Sequence, residues 1–260
     1  MSGQPVITLL TDFGARDHYA ASMKAVIASR SSARVIDITH EVAPQDVAGA
    51  SYQLACCRGY FPAGSVHVVV VDPGVGSDRR AVAVAAGGYR YIAPDNGVLD
   101  MALSGAEVVE AFEVREERFF LQPVSATFHG RDVFAPVAAA VFEGCPLSEL
   151  GPPAGELVHL DLPHCRLEGG VAEGSVIHVD RFGNVVTSVA EGLVGGREVA
   201  RVEIGGFGVP FARTYADVAE GHVLAYWGSG GFLEIAVRGG SAADVLSAGV
   251  GRPVLVRLSA

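Results

Sequence analysis

Residues 66–71 read Val-His-Val-Val-Val-Val, five valines in six positions. So dense a β-branched run has no polar face and reads as a strand buried on both sides. Shorter apolar runs flank it. Val6–Leu10 is a strand candidate, followed by a helix from about Asp17, where Tyr19, Met23, Val26 and Ala20, Lys24, Ile27 recur at helical spacing. Arg34–Ile38 is the next strand, Pro44–Arg58 a helix, and Ala81–Ala85 and Tyr89–Ala93 two further strands. A helix is expected over Val133–Phe142, with Pro136 tolerated because it falls in the first turn. Strands alternating with helices predict an α/β N-terminal domain with a mostly parallel central sheet.

After Cys165 the texture changes. Eighteen of the 33 glycines lie in the last 95 residues, so turns crowd together there. Short strand patterns recur at Ser175–Val179, Val199–Ile204, Val223–Tyr226, Phe232–Val237 and Val254–Leu258, and only Ala242–Leu246 is helical in spacing. This predicts a smaller all-β, barrel-like C-terminal domain. The expected domains are residues 1–162 and 166–260.

Half of the residues are hydrophobic and the formal net charge is −10, which suits a globular protein and argues against general nucleic-acid binding. The N-terminus shows no signal-peptide pattern and no apolar run is long and clean enough to span a bilayer. Cys56, Cys57, Cys145 and Cys165 form no C-x-x-C pair and read as buried thiols in a reducing compartment, so the expected location is cytoplasmic. The eight histidines lack zinc-site spacing, and no metal is expected.

Polar residues collect where the N-terminal strands end, which is where ligands bind on parallel α/β sheets. Asp12 follows the first strand, Asp72 follows the valine run, and Asp95 with Asn96 follows Tyr89–Ala93; each acid has Gly two residues later. A strand-end Asp is often only a turn or helix cap. The loop Asp72–Arg80 is the most informative, because Arg79 can fold back on Asp72 as a catalytic or a merely structural pair. His129, in Phe-His-Gly-Arg-Asp before a helix, is a candidate for proton chemistry or a hydrogen-bonded structural histidine. In the second half, Asn184 offers an amide suited to a purine edge, or to a turn, and Tyr215 and the Tyr226–Phe232 region offer aromatic surface.

Taken in order, Thr11-Asp-Phe-Gly, Val71-Asp-Pro-Gly-Val-Gly with Arg79-Arg80, Ala93-Pro-Asp-Asn-Gly, Phe128-His-Gly-Arg-Asp, Asp180 with Phe182-Gly-Asn, and Leu233-Glu-Ile-Ala resemble the S-adenosylmethionine hydroxide adenosyltransferases, relatives of the fluorinases and chlorinases. The likeness runs from about residue 6 to residue 258. It implies hydrolysis of S-adenosyl-L-methionine to adenosine and L-methionine by attack of water on the ribose C5′ carbon. It also implies a homotrimer with active sites between subunits, and no cofactor beyond the substrate.

The same resemblance maps the catalytic set onto Asp72, Arg79 and His129. It maps Asp12 onto the ribose hydroxyls, Asp17 and Asp180 onto the methionine ammonium, Tyr215 onto the adenine face, Asn184 onto its edge, and Ser229 onto the methionine carboxylate. Phe182 joins the substrate-binding set. The sequence departs from the family at Gly228, where Asn is frequent, at Gly230, where the fluorinase has Arg, and at Ser188, in place of Asn. Three other readings stay open: a chloride-using halogenase, a non-catalytic adenosine- or S-adenosylmethionine-binding module, and a metal-dependent phosphohydrolase built on the strand-end aspartates.

Overall fold

In the computed structural model, which describes residues 3–160 and 165–259, the valine run lies in the middle of a six-stranded sheet. The chain divides into two units between residues 160 and 161. The domain ends expected at residues 162 and 166 flank residues 163 and 164, which lie with 161 and 162 outside the described residues.

The first unit runs β1 (Ile7–Thr11), α1 (Tyr19–Arg30), β2 (Val35–Thr39), α2 (Val47–Cys57), β3 (Val66–Val70), β4 (Ala81–Ala86), β5 (Tyr89–Pro94), α3 (Asp100–Leu103), β6 (Val108–Glu113) and α4 (Ala135–Phe142). The sheet order is β2-β1-β3-β5-β4-β6. Strands β2, β1, β3 and β5 are parallel, and β4 is antiparallel to β5 and β6. Successive side chains of a strand point to opposite faces. Val66, Val68 and Val70 therefore pack with Met23 and Ile27 of α1 and Val137 and Val141 of α4, while Val69 and Val71 pack with Ala50 and Leu54 of α2 and Ala102 of α3. Two covered faces explain why β3 tolerates, and needs, unbroken hydrophobicity. Each valine so buried contributes roughly 1.5–3 kcal/mol of transfer free energy.

The direction of β4 comes from its turn. Gly87 and Gly88 both sit at positive φ (57° and 84°), the conformation that a two-residue hairpin turn demands. Because β4 runs back, its start lies at the edge where β1, β3 and β5 end. Arg79 and Arg80 are thereby delivered to the edge that carries Asp12, Asp72 and Asp95.

Three helix boundaries differ from the sequence expectation. The first helix starts at Tyr19, two residues after Asp17. The second starts at Val47, because Gln45 adopts φ 67° and Asp46 caps the helix by accepting the Gly49 N–H at 2.8 Å. The helix expected over Val133–Phe142 is a π-helical turn, Gly130–Phe134, followed by α4. Pro136 has no N–H to give the Asp132 carbonyl, which accepts from Leu121 N at 2.8 Å instead.

The second unit runs β7 (Arg166–Glu168), β8 (Val171–Val179), β9 (Val185–Ala190), α5 (Glu191–Val194), β10 (Val199–Ile204), β11 (Phe207–Val209), β12 (Val223–Trp227), β13 (Phe232–Val237), α6 (Ala242–Leu246) and β14 (Pro253–Leu258). Its strands follow the order β11-β10-β14-β8-β9-β13-β12, with β7 beside β8, and all strand pairs are antiparallel. Just past β11 the chain meets β12, with Ala212 N donating to Ala225 O and Ala225 N to Pro210 O, both at 2.8 Å. That contact nearly closes the barrel and removes an exposed sheet edge. Its interior is aliphatic, with Val176, Val185, Val202, Leu233, Ile235 and Val256 fully or almost fully buried. Strand β9 is absent from the sequence expectation because Thr187 and Ser188 interrupt its apolar pattern. Thr187 is nevertheless buried, its hydroxyl donating to Leu233 O at 2.9 Å. Among the described residues, no helix is long and apolar enough to cross a membrane.

Candidate active site

The Asp72–Arg80 loop is built as a tight double turn, with Val75 N donating to Asp72 O at 3.2 Å and Ser77 N to Gly74 O at 3.1 Å. Gly76 has φ 79°, and a Cβ there would lie 2.6 Å from the Ala126 carbonyl oxygen, so only glycine lets this loop lie against the segment that leads to His129. The turns return Arg79 onto Asp72. Arg79 Nε donates to Asp72 Oδ1 and Oδ2 at 3.0 and 2.9 Å, and Nη2 to Oδ2 at 2.5 Å. The same Nη2 lies 2.8 Å from His129 Nδ1. The Asp72 side chain is 5% exposed and that of Arg79 12%, so the pair is shielded from solvent and joined by charge-assisted hydrogen bonds.

This geometry fixes a proton. A guanidinium only donates, so His129 Nδ1 must accept, and the ring hydrogen sits on Nε2. Burial and the neighbouring Arg79 charge hold His129 below the usual histidine range, which favours the same neutral ring. His129 immediately precedes the π-helical turn, and Gly130 brings it close to the β1–α1 loop: a Cβ on Gly130 would meet Met23 Sδ and the Phe13 ring at 3.2 Å. The Phe13 and Phe128 rings pack edge to face at 5.8 Å. With Tyr19, Ser125, Thr127 and Arg131, they line a cavity of about 350 Å³, and Phe128 of that lining directly precedes His129 in the chain.

Asp12 lies in the same unit at the end of β1. Its Oδ2 accepts the Gln45 N–H at 2.9 Å. Its loop is pinned by His40, which meets the Thr11 hydroxyl with Nδ1 at 2.8 Å and accepts the Gly14 N–H on its carbonyl at 2.7 Å. Asp17 is exposed in the bend before α1. Asp95 is different: Arg80 Nη2 bonds one carboxylate oxygen and the Val158 N–H the other, so it anchors residues 156–158 rather than facing a ligand. Asn96 is likewise internal, donating to Val71 O at 2.9 Å.

In the second unit, residues 180–184 turn β8 into β9. Asp180 Oδ1 accepts from the Phe182 and Asn184 N–H groups, and Oδ2 from Asn184 Nδ2, each at 2.8 Å. Gly183 (φ 79°) allows the approach of Ser241, whose Cα would lie 2.9 Å from an added Cβ. Asn184 Nδ2 also donates to the Tyr215 hydroxyl at 3.3 Å. Tyr215 is 39% exposed and Phe182 76%, leaving flat apolar surface beside a buried amide. Ser229 is exposed in the β12–β13 turn, which Gly228 N closes by donating to Phe232 O at 2.9 Å. Ser188 accepts the Ser175 N–H at 3.1 Å and so braces β8 against β9.

Tyr226, which the sequence offers only as aromatic surface, and Glu234, to which it gives no role of its own, join this group. Tyr226 faces Glu234 across β12 and β13, and its hydroxyl donates to Glu234 Oε2 and lies 2.6 Å from that of Tyr215. Burial raises the Glu234 carboxyl above its ordinary value, partly offset by the hydrogen bond from Tyr226. The available signal is a charge in the middle of the apolar strand Phe-Leu-Glu-Ile-Ala-Val.

Comparison with known proteins covers both units. Residues 7–151 match the SAM hydroxide adenosyltransferase N-terminal domain, and residues 174–255 the C-terminal domain of the same name. The chain is 43% identical to the (R)-S-adenosyl-L-methionine hydrolase of Thermus thermophilus over 95% of this chain and 98% of that one. It is 27% identical to a fluorinase of Actinoplanes sp. over 90% and 91% of the two chains. In structure it resembles an uncharacterized conserved protein from Thermotoga maritima, with a TM-score of 0.90 and 38% identity over 97% of this chain and 100% of that chain.

Proposed function

We propose that this chain, which belongs to the SAM hydroxide adenosyltransferase family, hydrolyses S-adenosyl-L-methionine to adenosine and L-methionine. The observation that carries the mechanism is the single guanidinium, Arg79, bonded at once to Asp72 and His129.

The sulfonium is already an excellent leaving group, so no acid is required to expel methionine. The protein's task is to hold one water in line with the C5′–S bond and to take its proton. Arg79 Nη1 and His129 Nε2–H supply donors that orient the water oxygen, and the Asp72 carboxylate is the remaining acceptor. As the water oxygen bonds to C5′, the C5′–S electron pair passes to sulfur as the methionine thioether, and the water proton passes to Asp72. Positioning of this kind contributes roughly 7–11 kcal/mol in favourable cases. His129 serves as a donor here, because its other nitrogen is held by Arg79. A carboxylate at residue 72 disfavours a halide beside it, which favours water over chloride as nucleophile.

Substrate recognition falls to the remaining residues. Asp12 keeps Oδ1 for the ribose diol and Asp17 offers an exposed carboxylate to the methionine ammonium. Tyr215 and Phe182 supply a stacking surface, Asn184 meets the adenine edge, and Ser229 the methionine carboxylate. Asp180 acts chiefly by holding Asn184. We further propose a cytoplasmic homotrimer that needs neither metal nor added cofactor; the family resemblance supports the assembly.

The test is product analysis in 18O-labelled water with excess chloride and a chelator present. Label is expected in the adenosine 5′ hydroxyl at full rate. A 5′-chloro product, or loss of activity with the chelator, contradicts the reading.

A further inference from the structure

The second unit contains a directed chain of hydrogen bonds that the hydrolytic step does not use. It runs from Asn184 Nδ2 to the Tyr215 hydroxyl at 3.3 Å, from there to the Tyr226 hydroxyl at 2.6 Å, and ends on Glu234 Oε2. An amide nitrogen only donates and an ionised carboxylate only accepts, so the two ends dictate every proton between them. Tyr226 gives its proton to Glu234 and must accept from Tyr215, which in turn must accept from Asn184. The other Asn184 N–H goes to Asp180 Oδ2 at 2.8 Å. Both amide hydrogens are then engaged, and Oδ1 is left as an acceptor. Flipping the amide would set that oxygen against the Asp180 carboxylate and against a tyrosine with no proton to give.

Glu234 reaches Tyr226 only because residue 228 lacks a side chain. A Cβ on Gly228 would lie 2.0 Å from Glu234 Oε1 and 2.3 Å from its Cδ. The glycine and the glutamate thus form one device, built across the β12–β13 hairpin.

We propose that Glu234 is a positioning residue for purine recognition: through Tyr226 and Tyr215 it holds Asn184 with its carbonyl oxygen presented, so that the site accepts a purine bearing an exocyclic amino donor and discriminates against a 6-oxo purine. This rests on the reading that Asn184 and Tyr215 meet adenine. A 6-oxo group would bring an acceptor against an acceptor and leave both unpaired, a mismatch that costs roughly tenfold or more in affinity.

The test is calorimetric titration of the full-length protein with adenosine and with inosine, alongside kcat and KM for S-adenosylmethionine. The parent is expected to favour adenosine by tenfold or more. Tyr226→Phe and Glu234→Ala should each cut that preference several-fold and raise KM more than they lower kcat. Glu234→Gln keeps an acceptor oxygen and should restore most of the preference, which a merely structural role would not predict. Gly228→Asn, which leaves the chain's own members intact but displaces Glu234, should behave like Glu234→Ala. An unchanged adenosine-to-inosine ratio in Tyr226→Phe and Gly228→Asn, with thermal midpoints near the parent's, overturns the proposal while the hydrolase reading stands. A parent that neither binds adenosine nor turns over substrate overturns both.

Discussion

The Asp72–Arg79–His129 set and the Asn184–Tyr215–Tyr226–Glu234 chain both fix protons, but by different physics. In the first, a shielded cation holds two partners by charge-assisted bonds, and the loops that carry them are held by a glycine-only approach at Gly76 and by close packing at Gly130. In the second, two tyrosine hydroxyls relay direction from a carboxylate to an amide. Charge concentrated on one cation gives a site that is costly to disturb; a relay gives one that can be adjusted link by link. Injury to the first region should therefore appear in turnover, and injury to the second in affinity and selectivity.

The harshest way to break this contrast is Arg79→Met. It leaves the Asp72 carboxylate shielded without its cation, and removal of one partner of such a pair is costly. Turnover is expected to fall by about 10²–10³-fold, with adenosine affinity within threefold of the parent; steady-state kinetics with calorimetry checks it. A fall in affinity matching the fall in turnover would erase the distinction between the regions.

Acid should separate the two units next. His67 is fully buried in β3, and burial, with Arg58 nearby, pushes it down to about 4. A histidine lowered on folding binds its proton first in the unfolded chain, so stability is full above pH 6.5 and is lost as pH falls toward 4. His129 shifts in the same direction. Glu234 is raised on folding, so in the second unit acidification relieves rather than adds strain from that group. Between pH 7 and pH 5 the first unit should lose about 2 kcal/mol from His67 alone. Hydrogen exchange followed peptide by peptide should show residues 66–71 losing protection before residues 232–237, and the reverse order would contradict the assignment.

A milder test is Gly76→Ala. The added methyl would meet the Ala126 carbonyl at 2.6 Å and force the Asp72 loop away from His129. We expect roughly a tenfold loss of kcat, in keeping with the steep dependence of catalysis on placement, and no change in adenosine selectivity. Ser229→Ala, at an exposed turn, should be smallest: KM for S-adenosylmethionine up a few-fold with kcat retained, the scale of one lost hydrogen bond.

The sequence reveals local features better than paired ones. The five valines of residues 66–71 announce a doubly covered strand, and Asp72 with Arg79 lies close enough along the chain to suggest an ion pair before any coordinates. The reversal of β4 is carried by Gly87-Gly88, a signal easily passed over inside an otherwise parallel pattern. Asp95 looks as reactive as Asp72 in sequence, yet Arg80 and the Val158 N–H occupy it, because its partners arrive from 15 and 63 residues away. The Tyr226–Glu234 pair stays hidden for the same reason, because cross-strand pairing in the barrel decides it, whereas strand β9 is masked by Thr187 and Ser188, which interrupt its apolar pattern. The tautomer of His129 belongs to this group, since it follows from a contact 50 residues apart.

In the proposed mechanism Arg79 occupies His129 Nδ1, and Asp72 is left as the proton acceptor for water. Nitrogen NMR of 15N-histidine-labelled protein at pH 7 tests it directly, with His129→Gln assigning the resonance. The expected spectrum is that of a neutral ring with hydrogen on Nε2 and an unprotonated, hydrogen-bonded Nδ1 that changes in Arg79→Met. A charged ring, or one protonated on Nδ1, would contradict it.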